Sequence, residues 1–330
     1  MWNGNPRGSP SRVRRPFVNR KDLLGLRDVS RAEIEKILST ADQMREVGRR
    51  KIKKVPTLRG RLVATLFFEN STRTRTSFDL AAKRLSADTL AFSVSTSSTA
   101  KGESLMDTAR NIYAMQADAV VVRHQSAGAP HLLARSFPWT VINAGDGVNE
   151  HPSQALLDML TMRDAWGSLE GRTIAIVGDV QHSRVARSNM YGLTTMGARV
   201  LVAGPGTMCR EDLRGLPVER RHGIDEVVKE ADAIMMLRIQ RERLGRAVLP
   251  SSREYAAFYG LDLARLRAAR PDVLVMHPGP INRGVEIAAD VADGTRSVIL
   301  DQVTNGIAVR MALLYLLLGG IPDAGGGSDV

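Results

Sequence analysis

The sequence has 330 residues and a single cysteine, Cys209. One thiol excludes a framework of disulfide bonds and a cysteine-based zinc site, and it fits a reducing, cytoplasmic compartment. The six histidines show no spacing typical of metal ligands. The longest apolar run, residues 311–318, is too short to span a bilayer and directly follows Arg310.

Several nucleotide and nucleophile motifs are also missing. The sequence has no Gly-x-x-x-x-Gly-Lys-Ser/Thr phosphate loop, no Gly-x-Ser-x-Gly elbow and no His-Glu-x-x-His zinc motif. Residues 178–184 sit between a predicted strand and a predicted helix, but they lack the Gly-x-Gly-x-x-Gly pattern of dinucleotide binding. We therefore expect no metal, no cofactor and no covalent nucleophile.

Acidic residues and aromatic residues are both scarce relative to basic ones. Lys and Arg number 46 against 35 Asp and Glu, which gives a net charge of +11, and aromatics make up only 5%. Such an excess fits nucleic acid, a membrane surface, a small anionic ligand or simply a solvated surface. Nucleic-acid binding favours a dense basic stripe with exposed aromatics, whereas these arginines recur singly at the ends of elements. The pattern favours a small anionic ligand.

The two ends of the chain contribute little to this charge. Residues 1–16 hold four arginines among Gly, Pro and Ser and cannot form a core, so we predict a disordered basic tail. A Gly-rich stretch with two aspartates closes the chain, and we predict a flexible tail over residues 321–330. With these four arginines and two aspartates set aside, the remainder keeps a charge of +9.

Between the tails, apolar runs alternate with helical patterns. Strand-like runs occupy residues 61–68, 89–94, 119–123, 140–144, 173–177, 199–203, 233–237 and 272–276. Helical patterns occupy residues 32–47, 72–85, 104–115, 152–166, 184–196, 224–230 and about 303–318, and Ser30 with Glu33 forms a capping box before the first. This rhythm predicts an α/β fold of two domains, each with a parallel sheet between helices. We expect a first domain over residues 17–151 plus 303–320, with the last helix packing back on it, and a second over residues 152–302.

The densest motif lies where the first strand gives way to a helix. Ser71, Thr72 and Thr74 offer hydroxyl groups there, Arg73 offers a bidentate guanidinium, and the free backbone N–H groups of a helix start bind phosphate. A Ser-Thr pair before a helix is also an ordinary N-cap. Two arginines, at positions 73 and 75, oppose the helix dipole, so a bound anion is the better interpretation.

Other candidate ligands occur at strand ends and helix starts, where open α/β sheets bind their ligands. They are Arg123 at the end of the third strand, His151 and Gln154 at the start of the central helix, Arg184, the loop with Arg238 and Gln240, and Gly279 with Pro280. Each has a plainer alternative, such as a surface arginine, a capping histidine, a solvated loop or a rigid turn. The polar loop with Ser97 and Lys101 also fits a solvated linker.

Residues 71–75, Ser-Thr-Arg-Thr-Arg, together with residues 151–154, His-Pro-Ser-Gln, resemble the aspartate/ornithine carbamoyltransferase family over roughly residues 17–320. Three further segments are similar to members that act on aspartate: residues 97–103, 238–243 and 277–284. The Ser-Met-Gly loop and the His-Pro-Cys sequence of ornithine-specific members are absent.

The resemblance implies a role for each matching residue. The phosphate of carbamoyl phosphate would be held by Ser71, Thr72, Arg73 and Thr74. The carbonyl oxygen of carbamoyl phosphate would accept from Arg123, His151 and Thr74. Its amide NH₂ group would meet Gln154 and would also face the backbone of Gly279 and Pro280. The carboxylates of L-aspartate would be bound by Arg184, Arg238 and Gln240. Ser97 and Lys101 would come from a neighbouring subunit of a homotrimer, and Glu69 would pair with Arg184 and Arg243 on domain closure.

The implied reaction transfers a carbamoyl group to the α-amine of L-aspartate and yields N-carbamoyl-L-aspartate and phosphate, a step towards pyrimidines. The resemblance implies neither metal nor cofactor, neither nucleic acid nor membrane as a partner. It leaves open a regulatory chain or a dihydroorotase in a higher assembly. Two alternatives remain: a carbamoyltransferase for another amine, and a basic anion- or nucleic-acid-binding protein without catalysis.

Overall fold

The computed structural model describes residues 20–93, 103–210, 213, 215–216, 218–239 and 251–319. The predicted tails, 1–16 and 321–330, lie outside these residues. The first half of the chain contains α1 (Arg31–Arg49), β1 (Leu62–Phe67), α2 (Thr72–Arg84), β2 (Asp88–Ser93), α3 (Leu105–Ala114), β3 (Ala119–His124), α4 (Ala129–Ser136) and β4 (Thr140–Asp146). The second half contains α5 (Pro152–Trp166), β5 (Thr173–Val177), α6 (Arg184–Thr195), β6 (Arg199–Ala203), β7 (Glu219–Arg220), α7 (Ile224–Glu230), β8 (Ala233–Met236), α8 (Ser252–Tyr259), α9 (Leu263–Ala268), β9 (Leu274–Met276), α10 (Ala289–Ala292) and α11 (Ile299–Leu318).

The strands form two separate parallel sheets. The first has the order β2-β1-β3-β4 and the second the order β7-β6-β5-β8-β9. Strands such as β4, β5 and β8 are buried along their whole length, as expected of parallel strands covered by helices on both faces. The predicted fold class, two parallel-sheet α/β units, is confirmed.

Helix α5 connects the two units and is enclosed by both. Every residue from Pro152 to Met162 is buried. The largest hydrophobic cluster contains residues of the first sheet, of α5 and of the second sheet, including Val121, Leu156 and Ile174. The sequence pattern predicted this helix with one broad apolar face, whereas the structure buries it around its whole circumference.

Helix α11 packs against α1, α2 and α5. The predicted return of the last helix to the first domain is therefore confirmed. The helix begins at Ile299, four residues earlier than predicted. At the other end of the chain, Ser30 and Glu33 form the predicted capping box at α1.

Two features of the described residues bear on membranes and metals. None of the helices in these ranges combines the length and the apolar character that a membrane crossing requires. Within the same ranges, no three His, Cys, Asp or Glu side chains gather as they would around a metal ion. Cys209 is buried with a free thiol.

The packing of α11 generates a stability prediction. Leu313 is 1% exposed, whereas Leu300 on the same helix is 81% exposed. We expect Leu313→Ala to lower the free energy of unfolding by about 2–5 kcal/mol, because a buried cavity replaces packed atoms. The matched Leu300→Ala change should alter the free energy of unfolding by no more than about 0.5 kcal/mol. Urea unfolding followed by circular dichroism measures both, and equal losses would contradict the packing described.

Candidate active site

The carboxyl ends of both sheets face one cavity of about 510 Å³. In the first sheet, chain order reverses between β1 and β3, and in the second between β5 and β8. Such switch points open a crevice for ligands. An arginine lies beside each switch point, because Arg123 is near the carboxyl end of β3 and Arg238 follows β8.

The cavity brings together every predicted site residue that the structure describes. The residues expected to bind carbamoyl phosphate that line it from the first half of the chain and the start of α5 are Ser71, Thr72, Arg73, Thr74, Arg123, His151 and Gln154. The predicted residues that line it from the rest of the chain are Arg184, Arg238, Gly279 and Pro280. Three further candidates, Ser97, Lys101 and Gln240, lie outside the described residues, as does Arg243.

The start of α2 is arranged to receive an anion. Ser71 is the N-cap, but its side chain makes no capping hydrogen bond, so the ordinary N-cap interpretation does not account for its hydroxyl. Arg73 lies in the first turn, where desolvation and the neighbouring Arg238 lower its pKa. Gly279 approaches so closely, at a φ of +64°, that a Cβ there would overlap the Arg73 guanidinium. The loop after β9 thus meets the start of α2 across the cavity.

Glu69 links two of the cleft arginines. Its Oε2 lies 2.7 Å from Nη2 of Arg184 and 3.3 Å from Nε of Arg123. The pair with Arg184 was predicted for the closed arrangement of the domains, and the contact with Arg123 was not. Arg184 begins α6 in the second unit, so one carboxylate joins the two units beside the cavity. The Arg123 guanidinium also donates to the Ala144 carbonyl at 3.3 Å.

His151 enters the site as a neutral imidazole. Burial, followed by the positive charges of Arg123, Arg184 and Arg310, holds the pKa of His151 well below its usual value. Its backbone N–H donates to the Ser188 hydroxyl at 2.8 Å. Although it is the N-cap of α5, its side chain makes no capping hydrogen bond. Nδ1 of the ring lies 3.5 Å from the Ser153 hydroxyl, and the ring is a neutral hydrogen-bonding group beside three cations.

Sequence reasoning missed Arg310. It projects from the middle of the apolar helix α11, is 5% exposed and lines the cavity. Its guanidinium lies 5.2 Å from the ring centroid of Phe78 and against Gly306, where a Cβ would overlap it. Burial lowers its pKa to about 10, opposed by Asp158. A lone cation in an apolar helix was the available signal, because such a charge needs a partner or a polar cavity.

The charges define the ligand class. Five arginines line the cavity, and within the described part of the chain its lining includes no Asp or Glu. A site of this kind attracts small anions, and the start of α2 adds backbone N–H groups suited to phosphate. Fold and site together define a two-domain α/β protein with an anion-binding cleft between its domains.

Comparison with known proteins identifies the family. The model of the aspartate/ornithine carbamoyltransferase carbamoyl-P binding domain matches residues 21–164, and that of the Asp/Orn binding domain matches residues 170–317. Aspartate carbamoyltransferase catalytic subunits from Syntrophotalea carbinolica and Syntrophus aciditrophicus are 58% and 59% identical, over 92% and 91% of this chain and 96% and 98% of their own. The chain belongs to the aspartate/ornithine carbamoyltransferase family.

Solved structures of both branches resemble this fold. Trypanosoma cruzi aspartate transcarbamoylase in complex with N-(phosphonacetyl)-L-aspartic acid has a TM-score of 0.82 at 32% identity, with 90% of this chain and 96% of that chain covered. Ornithine carbamoyltransferase from Pyrococcus furiosus has a TM-score of 0.81 at 30% identity, with 92% and 98% covered. The fold alone therefore does not separate the two activities.

The geometry at the start of α2 predicts a phosphate site. We expect Arg73→Ala to weaken the binding of inorganic phosphate by about tenfold to a hundredfold, because a hydrogen bond to a charged group contributes about 1.5–3 kcal/mol. Lys83→Ala is the matched control, since it removes the same charge from the same helix about 15 Å away. Isothermal titration calorimetry compares the two variants. Equal weakening in both would show that net charge, not the Arg73 contact, holds the anion.

Proposed function

We propose that this chain transfers the carbamoyl group of carbamoyl phosphate to the α-amine of L-aspartate. The products are N-carbamoyl-L-aspartate and phosphate, as in aspartate carbamoyltransferases (EC 2.1.3.2), and the reaction belongs to pyrimidine biosynthesis. The observation that carries the proposal is a cleft that is lined by five arginines and contains the start of α2. Identities of 58% and 59% to aspartate carbamoyltransferase catalytic subunits support the same activity.

The donor occupies the first unit, which we place at residues 17–151 with 303–320. Ser71, Thr72, Arg73 and Thr74 hold the phosphate at the start of α2. Arg123, His151 and Thr74 donate to the carbonyl oxygen, while Gln154 binds the amide. Gly279 and Pro280 approach from the second unit and meet the carbamoyl amine with backbone carbonyls.

The acceptor occupies the second unit, residues 152–302. Arg184 and Arg238 lie on the cavity wall, and with Gln240 they bind the two carboxylates of aspartate. Ornithine would instead bring a second ammonium group towards these guanidinium groups. Like charges brought together in a partly desolvated site are repelled, so the same residues select against ornithine.

The transfer follows from this placement. The neutral α-amine attacks the carbamoyl carbon, and negative charge grows on the carbonyl oxygen, where Arg123, His151 and Thr74 donate. Preorganised donors of this kind contribute about 3–4 kcal/mol each. The C–O bond to phosphate then breaks, and the proton lost by the amine leaves with the phosphate. Holding the two substrates together contributes up to about 7–11 kcal/mol. His151 stays neutral, so it donates a hydrogen bond without adding a charge.

The active unit is a cytoplasmic homotrimer with sites shared between subunits. Ser97 and Lys101 reach the cleft of a neighbouring subunit, where Lys101 adds a cation for the acceptor and Ser97 a contact for the donor. The family resemblance supports this assignment. The trimer can associate further with a regulatory chain or a dihydroorotase.

The choice of acceptor is tested by offering aspartate and ornithine side by side with carbamoyl phosphate. We expect phosphate release and carbamoyl transfer with aspartate and none with ornithine, because two guanidinium groups face the acceptor. The mass of the oligomer, measured by light scattering on the same sample, should be three times that of the chain. Activity with ornithine alone would overturn the aspartate assignment. Tight, steeply salt-dependent DNA binding without phosphate release would support the non-catalytic alternative.

Shared sites make a second prediction. Arg73→Ala and Lys101→Ala proteins should each be nearly inactive, yet mixed trimers should regain part of the activity. A trimer with both kinds of subunit contains some sites in which Arg73 and Lys101 are both intact. The readout is carbamoyl transfer after the two proteins are dissociated together and reassembled. Verified mixed trimers without recovered activity would exclude shared sites.

A further inference from the structure

Asp158 is a buried carboxylate that joins three helices. It lies on α5, one turn after Gln154, and is 0% exposed. Its Oδ1 accepts from Nε2 of Gln154 at 2.9 Å and from Nε2 of Gln302 at 2.7 Å. Its Oδ2 accepts from Nδ2 of Asn189 at 2.8 Å. The three amides come from α5, α11 and α6, so one side chain holds elements of both units together.

This contact fixes which end of the Gln154 amide faces the cleft. An ionised carboxylate only accepts hydrogen bonds, so it binds the NH₂ end of an amide and never the oxygen end. Because Nε2 of Gln154 is held by Asp158, Oε1 is the end left for a ligand in the cavity that Gln154 lines. An oxygen at that position is an acceptor and needs a ligand N–H.

Through Gln302, Asp158 also acts on the loop after β9, on the other side of the cavity. Nε2 of Gln302 donates to Asp158, and Oε1 of the same amide accepts from the backbone N–H of His277 at 3.0 Å. His277 begins the loop that places Gly279 on the cavity. Asp158 therefore fixes the orientation of the Gln302 amide, and the oxygen of that amide holds the backbone at the start of this loop.

The charge state of Asp158 supports this arrangement. Burial raises the pKa of Asp158 to about 6, while hydrogen bonds from Asn189, Gln302 and Gln154 and the positive charge of Arg310 act in the other direction. With this pKa the carboxyl group is mostly ionised at pH 7.5, in keeping with its three amide donors.

We propose that Asp158 is a positioning residue that turns the oxygen of Gln154 towards the cleft. It thereby selects a substrate that carries an amide NH₂ group over an isosteric substrate that carries a methyl group. The proposal rests on the proposed function, since it assigns donor selectivity within the same site. A methyl group at that position would leave the Gln154 oxygen buried without a donor, which costs binding free energy.

Two stable phosphonates measure this selectivity directly. Phosphonoacetamide carries the NH₂ group, and phosphonoacetone carries a methyl group in its place. The readout is the ratio of their dissociation constants, from isothermal titration calorimetry at pH 7.5. We expect the wild-type protein to prefer phosphonoacetamide by about tenfold or more. In Asp158→Ala, the Gln154 amide is released, and the ratio should fall by at least about threefold, with the backbone carbonyls of Gly279 and Pro280 as the acceptors that remain for the NH₂ group.

Three further variants separate positioning from general stabilisation. Asp158→Asn should keep the wild-type ratio, because its oxygen still accepts from Gln154 and Gln302. Its new NH₂ group replaces Oδ2 and meets Nδ2 of Asn189, which is also a donor. We expect the Asn189 amide to turn over, so that its Oδ1, which has no hydrogen-bond partner among the described residues, accepts from this group. Asp164→Ala is the matched structural control. It removes another α5 carboxylate that accepts from α11, through Nδ2 of Asn305 at 2.9 Å, and should leave the ratio unchanged. Asp158→Leu keeps the branching of the side chain, with two methyl groups in place of the carboxylate oxygens, and gives the same readout where circular dichroism shows that Asp158→Ala is not folded.

The outcomes distinguish the two proposals. A loss of affinity for both phosphonates by the same factor in Asp158→Ala or Asp158→Leu would show a structural role only and overturn the inference. A wild-type ratio near one would also overturn it and would leave carbamoyl transfer to aspartate unaffected. A wild-type protein that shows the ratio but transfers no carbamoyl group would instead defeat the proposed function.

Discussion

The convergence of five guanidinium groups on one cavity is the constraint on which the rest of the site depends. Like charges at this density repel one another, and within the described residues no Asp or Glu lines the cavity to balance them. Glu69, beside the cavity, offsets part of the repulsion between Arg123 and Arg184. The remainder is balanced when anionic substrates bind. The same charge then brings together two anions that would otherwise repel each other.

The neutral groups of the site depend on this cationic surrounding. Burial acts with positive charges near His151 to keep its imidazole neutral, so in the proposed reaction it donates to the substrate carbonyl without competing for phosphate. Asp158 contributes negative charge behind the wall, near Arg310, and leaves the Gln154 oxygen as an acceptor in a cleft otherwise rich in donors. An acceptor among many donors is suited to recognising an amide, and in the proposed reaction it acts together with the backbone carbonyls of Gly279 and Pro280.

Local patterns in the sequence accounted for the fold and for much of the cavity lining. Buried parallel strands appear as continuous apolar runs, and the residues at their carboxyl ends lie along one edge of each sheet. This is why Ser71, Arg123 and Arg238 were predicted as site residues. Asp158 and Arg310 were not, because their roles arise from packing of α5, α6 and α11 across long stretches of sequence. Short elements such as α8 and α9 also escaped prediction, since a helix of six to eight residues leaves little periodicity.

The central claim is that one cleft holds the donor with its phosphate at the start of α2 and its carbonyl oxygen among Arg123, His151 and Thr74. A crystal structure of the protein with phosphonoacetamide tests this most directly. The account predicts phosphonate oxygens on Arg73 and the backbone N–H groups of α2, with the carbonyl oxygen within about 3.2 Å of Arg123 and His151. A phosphonate bound elsewhere, or an amide oxygen turned away from Arg123 and His151, would contradict it.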